Sequence, residues 1–156
     1  MDTTIKNAIE DILKCNICAS LSTISNDYCH SNTIYFCYDD SFNLYFASDC
    51  KTEHCVNISN NPNVALSIWN TPASYGIMHK GLQIKGKCRV LSNAELVKAW
   101  SLYIKRFPVF SSKIGNLENI SRKILSMRIY KIEVSSVKLT DSEVFGNEIK
   151  EITFNS

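Results

Sequence analysis

The residue types best suited to hold a charged ligand fall in FASDCKTEHCVNISNNP, where strand-like text ending at Phe46 runs through a turn straight into helical text. The turn, residues 48–52, carries Ser48, Asp49, Lys51 and Thr52. Helix N-termini expose unpaired N–H groups and a partial positive charge, which suits a phosphate. Ser48 and Thr52 would add hydroxyl donors and Lys51 a cation. The same residues also describe an ordinary helix cap beside a solvated lysine, and Asp49 must direct its own charge elsewhere. Both readings stand at this level.

Other chemistry is sparser. Cys15-x2-Cys18 could be half of a zinc site or a redox pair, with Cys50, His54 and Cys55 as partners, but there is no second CxxC. Cys15 is expected to close a helix and Cys18 to open a strand, which is poor geometry for a zinc knuckle. The histidines, His30, His54 and His79, have no metal-ligand spacing. A GxSxG elbow, a Walker loop and GxGxxG are all absent, which removes the common hydrolase and nucleotide-binding classes. Among the aromatics, Trp69 stands where a strand runs into a loop containing Pro72 and Gly76, a position from which an indole can flank a ring.

These residues need elements to position them. The chain of 156 residues suits one domain over 1–156 with a core of its own. Lys+Arg 17 against Asp+Glu 15 leaves +2 without a basic run, which argues against a nucleic-acid or membrane-surface partner. The N-terminus lacks a signal-peptide pattern, no apolar run is long enough for a membrane span, and seven cysteines follow no disulfide rhythm; a cytoplasmic protein with reduced thiols is expected. Ile5, Ile9, Ile12 and Leu13 define an amphipathic first helix with Asp2 or Thr3 as its cap.

Short β-branched and aromatic runs follow: ICASLSTIS, NTIYFCY and LYFAS, with SNDYCHS and DDSFN as turns. TEHCVNIS reads as a short helix stopped by Asn-Asn-Pro. NVALSIW reads as a strand, and GLQIKGKCRVL as an alternating strand with Leu82, Ile84, Cys88 and Val90 inward and a bulge at Gly86. A helix over NAELVKAWSLYIKRF would bury Leu96, Ala99, Trp100, Tyr103 and Ile104, with Ser92 or Asn93 as its cap. A loop from residue 71, a short helix in ENISRKIL and two closing strands, MRIYKIEV and one within EVFGNEIKEITF, complete the reading. Hairpin-linked strands with few helices predict an α+β fold: an antiparallel barrel of about six strands with peripheral helices.

Element order, LYFASDCKTEHCVNISNNPNVALSIW followed by GLQIKGKCRVL, and the tail segments YIKRFPV and SVKLTDSEVFGNEIKEI resemble the pyridoxamine-phosphate-oxidase-like, FMN-binding split β-barrels, in their YhbP-like branch. That resemblance covers nearly the whole chain. It implies a flavin-dependent oxidoreductase and a homodimer with FMN at the interface, each site built from both subunits. It places Lys51, Thr52 and His54 in the phosphate-gripping turn, Asn32 and Thr33 against the flavin ring, and Gln83 and Lys85 on a strand that supplies polar contacts. The sequence departs from the family at Thr52-Glu53-His54, where Ser-Arg-Lys is common; a glutamate there works against phosphate. The basic C-terminal segment by which the true oxidase recognises its substrate is missing, so that activity is not expected. The alternatives are a non-catalytic split barrel holding a deazaflavin or haem, with His30, His54 or His79 as axial ligand, or one with no cofactor.

Overall fold

The computed structural model describes residues 1–70, 79–108 and 127–154. The expected loop from residue 71 and the helix in ENISRKIL lie outside them.

The first helix, α1 (Thr3–Cys15), starts where expected: the Asp2 carboxylate accepts from the N–H groups of Thr4 and Ile5 at 2.8 and 3.2 Å. Its apolar stripe, Ala8, Ile9, Ile12 and Leu13, is buried. Strands β1 (Cys18–Ile24) and β2 (Cys29–Tyr35) form a hairpin, and β3 (Cys37–Tyr38) pairs with β4 (Leu44–Asp49). After α2 (Glu53–Asn60) come β5 (Asn63–Asn70), β6 (Lys80–Val90), α3 (Asn93–Arg106), β7 (Met127–Asp141), α4 (Ser142–Phe145) and β8 (Lys150–Thr153). All eight strands join one antiparallel sheet in the order β2-β1-β5-β6-β7-β4-β3, with β8 on the C-terminal half of β7.

This is the expected α+β split barrel, with eight strands where about six were read. NTIYFCY breaks at Phe36 into β2 and β3. β2 also starts earlier than the text suggests, because Cys29, His30 and Ser31 pair with Ile24, Thr23 and Ser22. Backbone pairing, not residue type, sets that boundary.

The sheet curls around a core of Leu21, Phe36, Leu44, Phe46, Ile68, Leu82, Ile132 and Leu139, closed by α1 and α2. A smaller core of Cys37, Tyr45, Leu91, Ala99, Tyr103 and Ile129 lies on the other face of β3, β4 and β7, under α3. Of the α3 stripe, Ile104 turns outward, at 37% exposure. Arg106 ties α3 to α1. Its guanidinium donates to the carbonyls of Leu13 and Asn16 at the end of α1 and lies over the rings of Phe36 and Tyr38, 5.3 Å from each centroid.

Two details fix the curl. The β6–β7 register shifts between Lys85 and Gly86, where β7 carries Ser135 as an extra residue. A Cβ on Gly86 would lie 2.4 Å from the Glu133 carbonyl oxygen, so glycine is required by close approach rather than by φ. In the β3–β4 turn, Phe42 adopts φ 64 while its ring is buried. Asp39 holds that turn by accepting from the N–H groups of Ser41 and Asn43 and from the Tyr45 hydroxyl.

One region of the sheet has no cover among the described residues. The outer face of β1, β5 and β6 presents Ser20, Ser22, Ala65, Ser67, Trp69, Gln83 and Lys85. Val90, expected inward, is 49% exposed at the end of β6.

Candidate functional site

The site is best built from β4 outward. Phe46 is fully buried on the core side of β4, so by the two-residue period Ser48 points the same way, toward α2. The turn closes through Thr52 N–H donating to the Asp49 carbonyl at 3.0 Å, and the Asp49 carboxylate accepts from Lys51 N–H at 3.0 Å. Glu53 then begins α2 and His54 follows one residue later.

Three side chains meet here. His54 Nε2 lies 2.8 Å from Ser48 Oγ and 3.2 Å from Thr52 Oγ1, and the two hydroxyl oxygens are 3.3 Å apart. Thr52 Oγ1 donates to the Asp49 carbonyl at 2.8 Å, so it faces the other two as an acceptor. Thr52 is the N-cap residue of α2 yet gives it no side-chain bond. The helix start, with its positive dipole end, therefore lies beside a cluster of small donors. His54 is 8% exposed, and burial pushes its imidazole below the ordinary value against the opposing pull of Glu53. Lys51 is exposed at the turn's tip, with no ion-pair partner among the described residues.

Neighbouring strands add to this end of the barrel. Asn57 of α2 donates to Thr23 of β1 at 3.2 Å, which seats α2 on the inner face of the β1–β2 hairpin. On that face β2 presents His30, Asn32 and Ile34, opposite the buried Thr23, Leu21 and Ala19. Asn32 Oδ1 is buried without a hydrogen-bond partner among the described residues. A buried acceptor lacking a donor is uncommon and marks a place for a ligand's N–H or O–H. The Glu53 carboxylate points away from the turn: it accepts from the Tyr28 hydroxyl at 2.7 Å and lies 3.3 Å from His30 Nδ1.

The nine residues read from the sequence thus divide. Ser48, Thr52 and His54 are brought together, Lys51 stands beside them, and Asn32 lies on the inner face of β2. Thr33 faces outward, because consecutive strand residues point to opposite sides. Trp69, Gln83 and Lys85 are also outward, on β5 and β6. The Trp69 indole lies across Gly81, whose added Cβ would come within 2.0 Å of it, and its ring centroid is 6.0 Å from that of His79. A groove of about 520 Å³ runs over this outer face, and one of about 990 Å³ that shares Ser22, Ala65 and Lys85 with it is lined also by the inward-facing Thr23, Val64 and Val134 and by Ser41 and Asn43. Neither is lined by a residue of the 48–52 turn. Within one chain, the inner and outer sets lie on opposite faces of the sheet.

Sequence reasoning missed Tyr28, and it read Glu53 only as an obstacle. The polar hairpin text SNDYCHS contained the signal, but nothing local indicates that it folds against α2. Cys37, Cys55 and Cys88 are buried in the cores, and no group of three or more His, Cys, Asp or Glu side chains able to hold a metal occurs among the described residues.

A half-barrel of antiparallel strands with a polar turn leading into a short helix is the architecture of the split β-barrel class. The chain belongs to the pyridoxamine 5'-phosphate oxidase family, whose sequence model matches residues 5–141. It is similar to the UPF0306 protein of Klebsiella pneumoniae strain 342, at 28% identity over 120 residues, 76% of this chain and 73% of that one. UPF0306 relatives from Salmonella carry the name YhbP, as the sequence resemblance implied. Among solved structures, the haem binding protein from Mycobacterium smegmatis matches with TM-score 0.76 at 11% identity, over 98% of this chain and 59% of that one. HutZ, the haem storage protein from Vibrio cholerae, matches with TM-score 0.72 at 10% identity, over 90% of this chain and 97% of that one. At such identities these structures speak for the fold alone.

Proposed function

We propose that the protein binds FMN, with the phosphate at the 48–52 turn, and that it acts as a flavin-dependent oxidoreductase. The observation that carries this reading is the meeting of Ser48, Thr52 and His54 beside a helix start that its own N-cap side chain leaves unbonded. The residues fit the group. Ser48 Oγ–H and His54 Nε2–H turn from each other to donate to phosphate oxygens, the α2 N–H groups add partial positive charge, and Lys51 supplies a full one. Asn32 Oδ1 is available to accept a hydrogen bond from the ring. Bound FMN would supply hydride or electron transfer; the protein supplies position and electrostatics.

The same reading calls for a homodimer. Trp69, Gln83 and Lys85 face away from the turn of their own chain, so they can complete a site only in a second copy. The outer face of β1, β5 and β6, lined by small side chains, suits that contact because small residues let two sheets approach closely.

A titration of the purified, flavin-free protein with FMN, followed by flavin fluorescence, tests the reading. Saturable binding is expected. Ser48→Ala should weaken it roughly tenfold, as for loss of a hydrogen bond to a charged group. Lys51→Ala should weaken it about two- to fivefold, the range for an exposed ion pair. Unchanged affinity in both variants would move the phosphate off this turn.

Haem is the second reading, favoured by one observation: His30 Nδ1 lies 3.3 Å from the Glu53 carboxylate and Nε2 has no hydrogen bond among the described residues, which suits an imidazole that ligates through Nε2. A Soret band on haem addition that is lost in His30→Ala, with no FMN binding, would favour it.

A further inference from the structure

Glu53 stands where its charge would compete with a bound phosphate. As the first residue of α2 it sits between Thr52 and His54, both members of the polar trio. A carboxylate in the first turn of a helix is drawn to the free N–H groups there. Left to itself, Glu53 would therefore both occupy the phosphate's donors and repel its charge. It does neither. Its Oε1 is held by the Tyr28 hydroxyl of the β1–β2 hairpin, which donates to it at 2.7 Å, and His30 Nδ1 of β2 stands beside it, 3.3 Å away. The hairpin turn that presents Tyr28 is closed by Ser25 N–H donating to the Tyr28 carbonyl at 2.9 Å.

We propose that Tyr28 and His30 are positioning residues for the phosphate grip: they clamp the Glu53 carboxylate against the β1–β2 hairpin and so keep the N-terminus of α2 open to the ligand's phosphate. This rests on FMN being held at the 48–52 turn. The clamp has no packing role that would explain it otherwise. Tyr28 is 58% exposed and Glu53 keeps 45% of its side-chain surface, so the contact buries little. An exposed hydrogen-bonded pair contributes little to stability, yet it dictates where a full negative charge sits. The Tyr28 phenol is raised above its ordinary value because its hydroxyl donates to Glu53, in keeping with a bond made to the charged carboxylate.

The test is FMN titration of the full chain at low and at high salt, for the wild type, Tyr28→Phe, Tyr28→Phe/His30→Ala and Glu53→Gln, and for the first two variants rebuilt on Glu53→Gln. Tyr28→Phe removes one exposed oxygen and should leave the fold intact, which thermal melting checks. At low salt, Tyr28→Phe should weaken FMN about threefold and the double variant roughly tenfold, the scale of like-charge repulsion near a protein surface. Raising salt should shrink both effects, because exposed charges are screened. On Glu53→Gln the clamp substitutions should change nothing, and Glu53→Gln alone should bind at least as tightly as the wild type. The proposal is overturned by wild-type affinity in both clamp variants, by equal weakening with and without Glu53, or by losses indifferent to salt. A wild type that binds FMN, with clamp variants that behave alike, overturns the clamp and leaves the FMN site standing. A wild type that binds none overturns both.

Discussion

At the scale of single residues, His54 decides how the turn behaves with pH. Its ring is buried against Phe46, at 6.1 Å between centroids, and its Nε2 lies within hydrogen-bond reach of the Ser48 and Thr52 hydroxyl oxygens. Burial holds the folded-state pKa below the ordinary 6.5. Between those two values the unfolded chain binds more protons than the folded one, so stability is complete above about 6.5 and falls as pH drops through that window. Urea midpoints at a series of pH values between 7.5 and 5 should decline for the wild type, and less steeply for His54→Gln, which keeps a donor near the position of Nε2. A bound phosphate reverses the sign of the local charge effect, because it favours the imidazolium. FMN should therefore bind more tightly as pH falls from neutrality, and His54→Gln should flatten that dependence as well.

Among the elements, the β6–β7 pair determines the curl on which both halves of the candidate site depend. These two long strands would otherwise pair in simple register. Ser135 interrupts them, donating its hydroxyl to the Lys85 carbonyl at 3.1 Å, while its own carbonyl accepts from Phe154 N–H at 2.9 Å. Opposite the bulge the two backbones approach so closely at Gly86 that a methyl group would strike the Glu133 carbonyl oxygen. Gly86→Ala is therefore expected to destabilise the protein by about 1–3 kcal/mol, the range for overpacking against a structure that must shift. Chemical denaturation measures this directly. Because the obstacle is backbone, a smaller side chain at Glu133 should not rescue the loss, whereas trimming a side chain would relieve an ordinary steric clash.

For the whole molecule, the sheet's outer face is the part that one chain leaves unfinished. α3 covers β3, β4 and the start of β7, but nothing described covers Ser20, Ser22, Ala65, Ser67 and Gln83. In the proposed dimer this face meets a second copy and brings Trp69, Gln83 and Lys85 toward that copy's turn. Sedimentation velocity should then give twice the 17.7 kDa chain mass. Ser67→Arg, in the middle of the face, should yield a folded monomer that has lost FMN together with its partner. A monomeric wild type that still holds FMN would refute the shared site. No helix among the described residues is long and apolar enough to cross a membrane.

The sequence by itself determined whatever depends on near neighbours in the chain. The stripe of Ile9, Ile12 and Leu13, the Asp2 cap, the alternation of β6 and the strand–turn–helix run from Phe46 to Asn60 were all legible, because helical and strand periods and capping bonds span only a few residues. Ser48, Thr52 and His54 could be named for the same reason: they lie within seven positions of one another. What tertiary structure alone decided is what each side chain faces across the fold. Asn32 and Thr33 look alike in the text, yet the pleat and the β1 register turn one toward α2 and the other outward. Trp69, Gln83 and Lys85 read as part of one site with the turn, but the curl of the sheet sets them on its far side. Glu53 read as an obstacle until folding brought a tyrosine 25 positions away to hold its carboxylate. Such pairings depend on chain closure over long loops, and no local preference encodes them.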